Sequence, residues 1–242
     1  RDRERVGHPA GLEVREHARA GLQHRVLHPT IMTPDPTAWH PGGGPRPTYA
    51  PAVHDRDPEP LLEVAVRHER DVAGALEGGA DRLLLAGDGG LSPEPATVTA
   101  VCRAADDVPV RVVLRLNDGW TTTGGEAARL VGLGTEYVDR GAEGFALGFL
   151  DPDLEVDLDV CGHLLTRLPG VPWTFHRAVD ATLDMRRSLR RLVGLPRLTA
   201  IWSAGSPRGL GAGFEDLLDA ARADEAVADL LMPGGDLRAE QV

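Results

Sequence analysis

A chain of 242 residues with 42% hydrophobic content can build one large core or two small ones. Residues 1–60 carry eight Arg and eight Asp or Glu, so the formal net charge of −11 lies wholly in residues 61–242. An acidic globular part repels phosphate backbones and anionic lipid, which argues against nucleic acid or a membrane surface as partner. All 26 basic residues are Arg, which excludes Schiff-base and P-loop lysine chemistry.

Residues 1–60 are rich in Pro, Gly, His and Arg, as in "TPDPTAWHPGGGPRPTYAPAVHDRDPEP". That composition buries too little apolar surface to offset chain entropy, so a disordered leader is expected, with Met32 as a candidate start. His24 and His28 have the i,i+4 spacing of a metal pair on a helix, but scattered solvated histidines are the expected state.

From Leu61 short apolar runs alternate with helical patterns. Strands are expected at 61–66, 81–86, 110–116, 144–150, 173–178, 198–203 and 229–233. Near-continuous apolar runs of this kind suit parallel strands covered by helices. Between them, Val72, Ala75 and Leu76 share one face of a helix over 68–78, and Met185, Leu189, Leu192 and Val193 one face over 184–195. Gly78, Gly79, Gly141 and Gly194 follow helices, where a left-handed cap is wanted. Seven strand–helix units indicate an open doubly wound sheet or a β/α barrel. The first strand is followed by "VRHERD" and not by a G-x-G-x-x-G turn, which weakens a dinucleotide site. Glu63, Arg115, Asp151, His176 and Arg177 lie in or at the ends of strands, and a barrel would bring strand ends to one mouth.

The blocks "LLEVAV", "GGADRLLL", "GGLSPEPATV", "GFLDPDLEVDLDVCGHLL", "TFHRAVD", "SAGSPRGLGAGFEDL" and "LLMPGGDLRAEQV" resemble the CutC family in order and spacing over 61–242. The resemblance implies a TIM-type β/α barrel domain over 61–242, a cytoplasmic protein linked to copper homeostasis, and a homodimer. It also implies departures. Where family members tend to carry Cys, this chain has Ala65 and Ala86, and soft Cu(I) prefers thiolate or thioether ligands. Leu84 replaces an acidic residue, and Arg115-Leu116-Asn117 replaces Arg-Pro-Arg. The barrel is expected to be incomplete, with seven β/α units and the eighth missing. Copper is thus suggested by the family alone, and no metal ligands are assigned.

Within this frame Glu63 is a general acid/base or a buried partner for Arg115, which is itself an anion clamp or a structural partner. His176 is the general acid/base candidate, with an unperturbed pKa near neutrality. Alternation sends His176 and Arg177 to opposite faces unless the strand has ended. Asp180 orients His176 or holds Arg177. Asp151 follows strand four as a catalytic carboxylate or as a turn residue of "LDPD". Ser203 and Gly205, with Gly234 and Gly235, occupy the loops that bind phosphate in many barrels. "DLEVDLD" reads as a helix start, Cys102 and Cys161 as inert packing residues, and "RRSLRRL" as an exposed or interfacial basic face. Three functions follow: a copper-homeostasis protein with weak or no copper affinity, an enzyme acting on a small anionic or phosphorylated substrate, or an inactive truncated member.

Overall fold

The computed structural model describes residues 61–235 and 237; the expected leader over 1–60 and the histidine pair within it lie outside the described residues. Seven strands follow in chain order: β1 Glu63–Val66, β2 Arg82–Leu85, β3 Val110–Val113, β4 Gly144–Leu147, β5 Trp173–Phe175, β6 Leu198–Ser203 and β7 Leu231–Pro233. Between them lie α1 Glu69–Glu77, α2 Pro95–Ala104, α3 Gly124–Asp139, α4 Leu158–Arg167, α5 Met185–Leu192, α6 Leu210–Ala223 and α7 Glu225–Ala228.

Local chemistry sets the helix ends. Thr123 and Glu126 form a reciprocal capping box at α3, while Asp157 and Asp184 accept the amides of Val160 and Arg187 at the starts of α4 and α5. Asp157 confirms "DLEVDLD" as a helix start. After α1 the left-handed position falls on Gly79 (φ 82°), whereas Gly78 remains right-handed at φ −77°. The α5 arginines are engaged on the surface, Arg187 and Arg191 with Glu155 and Arg186 with Asp219.

Every strand pairs in parallel with its neighbour in sequence, in the order β1 to β7. A doubly wound sheet would reverse its strand order partway, so the arrangement is that of a β/α barrel. Among the described residues β1 and β7 each pair on one side only.

Two separate apolar clusters reveal the curl. Outward residues such as Leu83, Leu85, Val112, Phe145, Leu147, Trp173, Phe175 and Ile201 pack against the helices. Inward residues Leu84, Val113 and Ala146 form their own cluster with Ala86 and Trp202. Each fully buried Leu or Phe side chain stabilises the fold by about 1.5–3 kcal/mol. No described helix is long and apolar enough to cross a membrane.

Candidate functional site

Polar side chains on the inner face separate towards the two ends of the strands. At the amino-terminal end Glu63 opens β1 and accepts a 2.5 Å hydrogen bond from Arg82 Nε; their side chains are only 5% and 8% exposed. Arg111 reaches Glu143 at 3.2 Å, the Thr174 hydroxyl, and the Thr199 hydroxyl at 2.7 Å. This end is an internally paired plug. The expected pairing of Glu63 with Arg115 is corrected: alternation fixes which face a residue takes, not its height along the strand. Glu63 starts its strand, while Arg115 lies beyond the end of β3.

The carboxyl ends of the strands surround a pocket of about 460 Å³. Its floor is apolar, with Leu84, Val113 and Trp202 facing inward and Ala65 and Ala86 beside them. Arg67, Arg115, His176, Arg177 and Asp180 supply the polar wall.

β5 ends at Phe175, which resolves the alternation problem: His176 caps a short 3-10 turn over Arg177–Ala181, so it and Arg177 both reach the mouth. His176 Nδ1 accepts the amide of Ala178 at 3.2 Å, and Nε2 has no partner among the described residues. Since Nδ1 is an acceptor, the neutral ring carries its proton on Nε2. Trp120 stands edge-on, ring centroids 5.4 Å apart. Burial, aided by the Arg115 charge, pushes the imidazole down to about 3. The expected pKa near neutrality does not hold, and at neutral pH His176 is a hydrogen-bond donor without charge.

Asp180 serves Arg177, not His176. Its carboxylate accepts Arg177 Nε at 2.9 Å, the Ser203 hydroxyl at 2.5 Å and the Ala204 amide at 3.0 Å. Those donors are the ones a phosphate in the SAG loop would need. Gly205 N donates to Ser203 Oγ, Gly234 N to Ser203 O, Gly209 N to Ser206 O and Leu210 N to Gly235 O. Of the expected phosphate cradle at Ser203, Gly205, Gly234 and Gly235, the Ser203 hydroxyl and the Gly205 and Gly234 amides are thus taken by the protein's own groups. Gly235 (φ 95°) is instead a packing position, since a Cβ there would stand 2.7 Å from Arg177 Nη1.

Arg115 is held differently. Its Nε donates to Gly119 O at 3.3 Å and its Nη2 to Asp118 O, and the guanidinium lies 4.3 Å above the Trp120 ring. No carboxylate pairs with it among the described residues.

Asp151 is the turn residue. Its Oδ1 accepts the amides of Asp153 and Glu155 at 3.0 and 2.9 Å, and it does not line the pocket. The pocket wall also includes Arg67, Trp120 and Trp202, which sequence reasoning had not singled out. Parity was a usable signal for Trp202, which sits inward on β6; Trp120 and Arg67 lie in loops, where no period applies.

The residues present do not suit a soft metal. Ala65 and Ala86 both line the pocket, and no group of three His, Cys, Asp or Glu could hold an ion among the described residues. Cys102 and Cys161 lie in α2 and α4, where burial pushes their thiols up to about 11 and about 12.

A family model described as CutC family matches residues 60–242. A copper homeostasis protein cutC homolog of Drosophila melanogaster is 34% identical over 146 residues, covering 57% of this chain and 55% of the fly protein. The chain thus spans about half the length of that relative. A family protein CutC of Xylella fastidiosa (strain 9a5c) is 31% identical over 185 residues, covering 75% of this chain and 68% of the relative. In fold, the crystal structure of CutC from Streptococcus agalactiae aligns with a TM-score of 0.66 and 22% identity over 74% of this chain and 90% of that one. A dihydrodipicolinate synthase from Bacillus anthracis aligns at 0.53 and 16% identity over 73% of this chain and 63% of that one, a likeness of fold alone.

Proposed function

This chain belongs to the CutC family, and from that premise we propose that it serves copper homeostasis by binding a small organic anion in the barrel mouth, without holding copper there. The copper link is carried by the name of the fly relative. The anion reading rests on one observation: Arg115 stands at the mouth with no carboxylate partner among the described residues, beside the unpaired Nε2–H of His176. Arg177, by contrast, is neutralised by Asp180. The absence of a thiolate or a three-ligand cluster from the described pocket supports leaving the metal out of it.

The setting we propose is the cytoplasm, where two free cysteines suit a reducing compartment, with the family's homodimer as the assembly.

The test is a pair of titrations of the full chain. Anaerobic Cu(I) competition against a colorimetric chelator is expected to show no stoichiometric copper. Small organic anions are expected to bind saturably, and Arg115→Met to weaken them. Tight one-to-one copper binding that survives in Cys102→Ala and Cys161→Ala variants would overturn the proposal.

A further inference from the structure

We propose that the ligand of the mouth is a small monocarboxylate with an apolar body, not a phosphate ester, and that its carboxylate bridges Arg115 and His176 Nε2. This rests on the anion reading above and names the class of anion.

A phosphoryl dianion is usually held by several backbone amides at a glycine loop or helix start. Here several of those amides are engaged. The Ala204 amide is bound by Asp180, and the Gly209 and Leu210 amides at the head of α6 donate to Ser206 O and Gly235 O. Asp180 also lines the pocket and already occupies Arg177 Nε, the Ser203 hydroxyl and the Ala204 amide.

Arg67 lines the pocket with no side-chain partner among the described residues, and beside Trp120 two further donor groups remain. Arg115 directs Nε and Nη2 at the carbonyls of Gly119 and Asp118, which leaves Nη1 without an acceptor among the described residues. His176 offers Nε2–H, fixed in that tautomer by the Ala178 amide on Nδ1. Both side chains contact Trp120, Arg115 above its face and His176 at its edge. Two single donors on neighbouring groups match the two oxygens of one carboxylate. A buried donor without an acceptor is costly, and a ligand oxygen on Nε2 relieves that cost. Nε2 is shielded from solvent, so the proposed contact requires the pocket wall to move, and tryptophan fluorescence reads it because Trp120 touches both donors.

The remainder of the ligand meets hydrocarbon. Leu84, Val113, Ala146, Ala86 and Trp202 cluster on the inner face, beneath a pocket of about 460 Å³. That volume is within the range of small-molecule sites, roughly 300–1,000 Å³. An apolar floor under a cationic rim selects an amphipathic acid over a polar sugar phosphate.

The experiment titrates the full chain with benzoate, phenyl phosphate, inorganic phosphate and benzamide, read by fluorescence. The ¹⁵N-labelled His176 Nε2–H resonance is followed alongside. Benzoate is expected to bind about tenfold or more tighter than the other three. It should move the Nε2–H resonance, and it should lose about tenfold in Arg115→Met with the circular dichroism unchanged. Phenyl phosphate binding as tightly as benzoate overturns the carboxylate class while the anion pocket stands. No binding by any anion overturns both. Benzoate binding that leaves Nε2–H and the Arg115→Met affinity unaltered places the ligand elsewhere and overturns the bridging geometry.

Discussion

Complete burial holds the His176 imidazole near pKa 3, against 6.5 for a free histidine, with the Arg115 charge adding to the effect. Between those values the unfolded chain binds a proton that the folded chain refuses. The ring's contribution to stability is therefore complete above pH 6.5 and is lost as pH falls toward 3. Each such unit of pH removes at most about 1.4 kcal/mol for this one proton. Urea unfolding of the full chain at pH 7.0 and 5.0 should show this loss, and His176→Gln should flatten it. Equal pH dependence in the variant would mean that the ring titrates normally. Sequence left open whether His176 and Arg177 both reach the mouth, because the strand was expected over 173–178 whereas it ends at Phe175. The titration was not legible, because it depends on Trp120 and Phe175, which flank the ring from different segments. Asp151 misled for the opposite reason: a carboxylate after a strand looks the same whether it faces a pocket or ties its own turn.

At the scale of strands, seven apolar runs sufficed to find seven elements, but not their ends. β3 stops at Val113 and β4 at Leu147, yet Leu114, Phe149 and Leu150 beyond them remain buried. Hydrophobicity persists because these residues belong to the same core cluster, with Leu114 N still bonded to Ala146 O and Leu150 bridged to Val156. Parity along β3 did carry more than was read from it. Arg111 and Arg115 share a face, one in the amino-terminal plug and the other at the mouth. Arg82 on β2 repeats the pattern opposite Glu63. The plug holds two guanidinium groups close enough for Arg82 to depress the Arg111 pKa, after burial itself. Glu63 and Glu143 offset that repulsion. Glu63→Ala leaves Arg82 buried without its carboxylate, a change that costs about 3–5 kcal/mol for a buried pair. Urea denaturation should report that loss, with Glu63→Gln milder because an acceptor oxygen remains. Benzoate affinity should be unaltered in both, since the plug and the mouth are at opposite ends of the inner face. A matching loss of affinity would show that the two ends are coupled.

For the molecule as a whole, sequential parallel pairing makes stability uneven across the sheet. β2 through β6 each have neighbours on both sides, whereas β1 and β7 have one each among the described residues. The inner apolar cluster also draws on the middle of the sheet, with Leu84 from β2, Val113 from β3 and Ala146 from β4. Amides bonded on both flanks and roofed by helices open only with the global unfolding of the core, while singly flanked strands open by local fraying. Hydrogen exchange of the full chain should therefore show slow amides in β3, β4 and β5 and progressively faster ones toward β1 and β7. Uniform protection across all seven strands would mean that the two outer edges are covered. Repeating the measurement over a range of protein concentration then identifies the cover. Protection of β1 and β7 that rises with concentration assigns it to a second copy of the chain, because association follows mass action. Protection independent of concentration assigns it to residues of the same chain, and the mouth pocket then sits in a closed ring whose loops, not its strands, set access to Arg115 and His176.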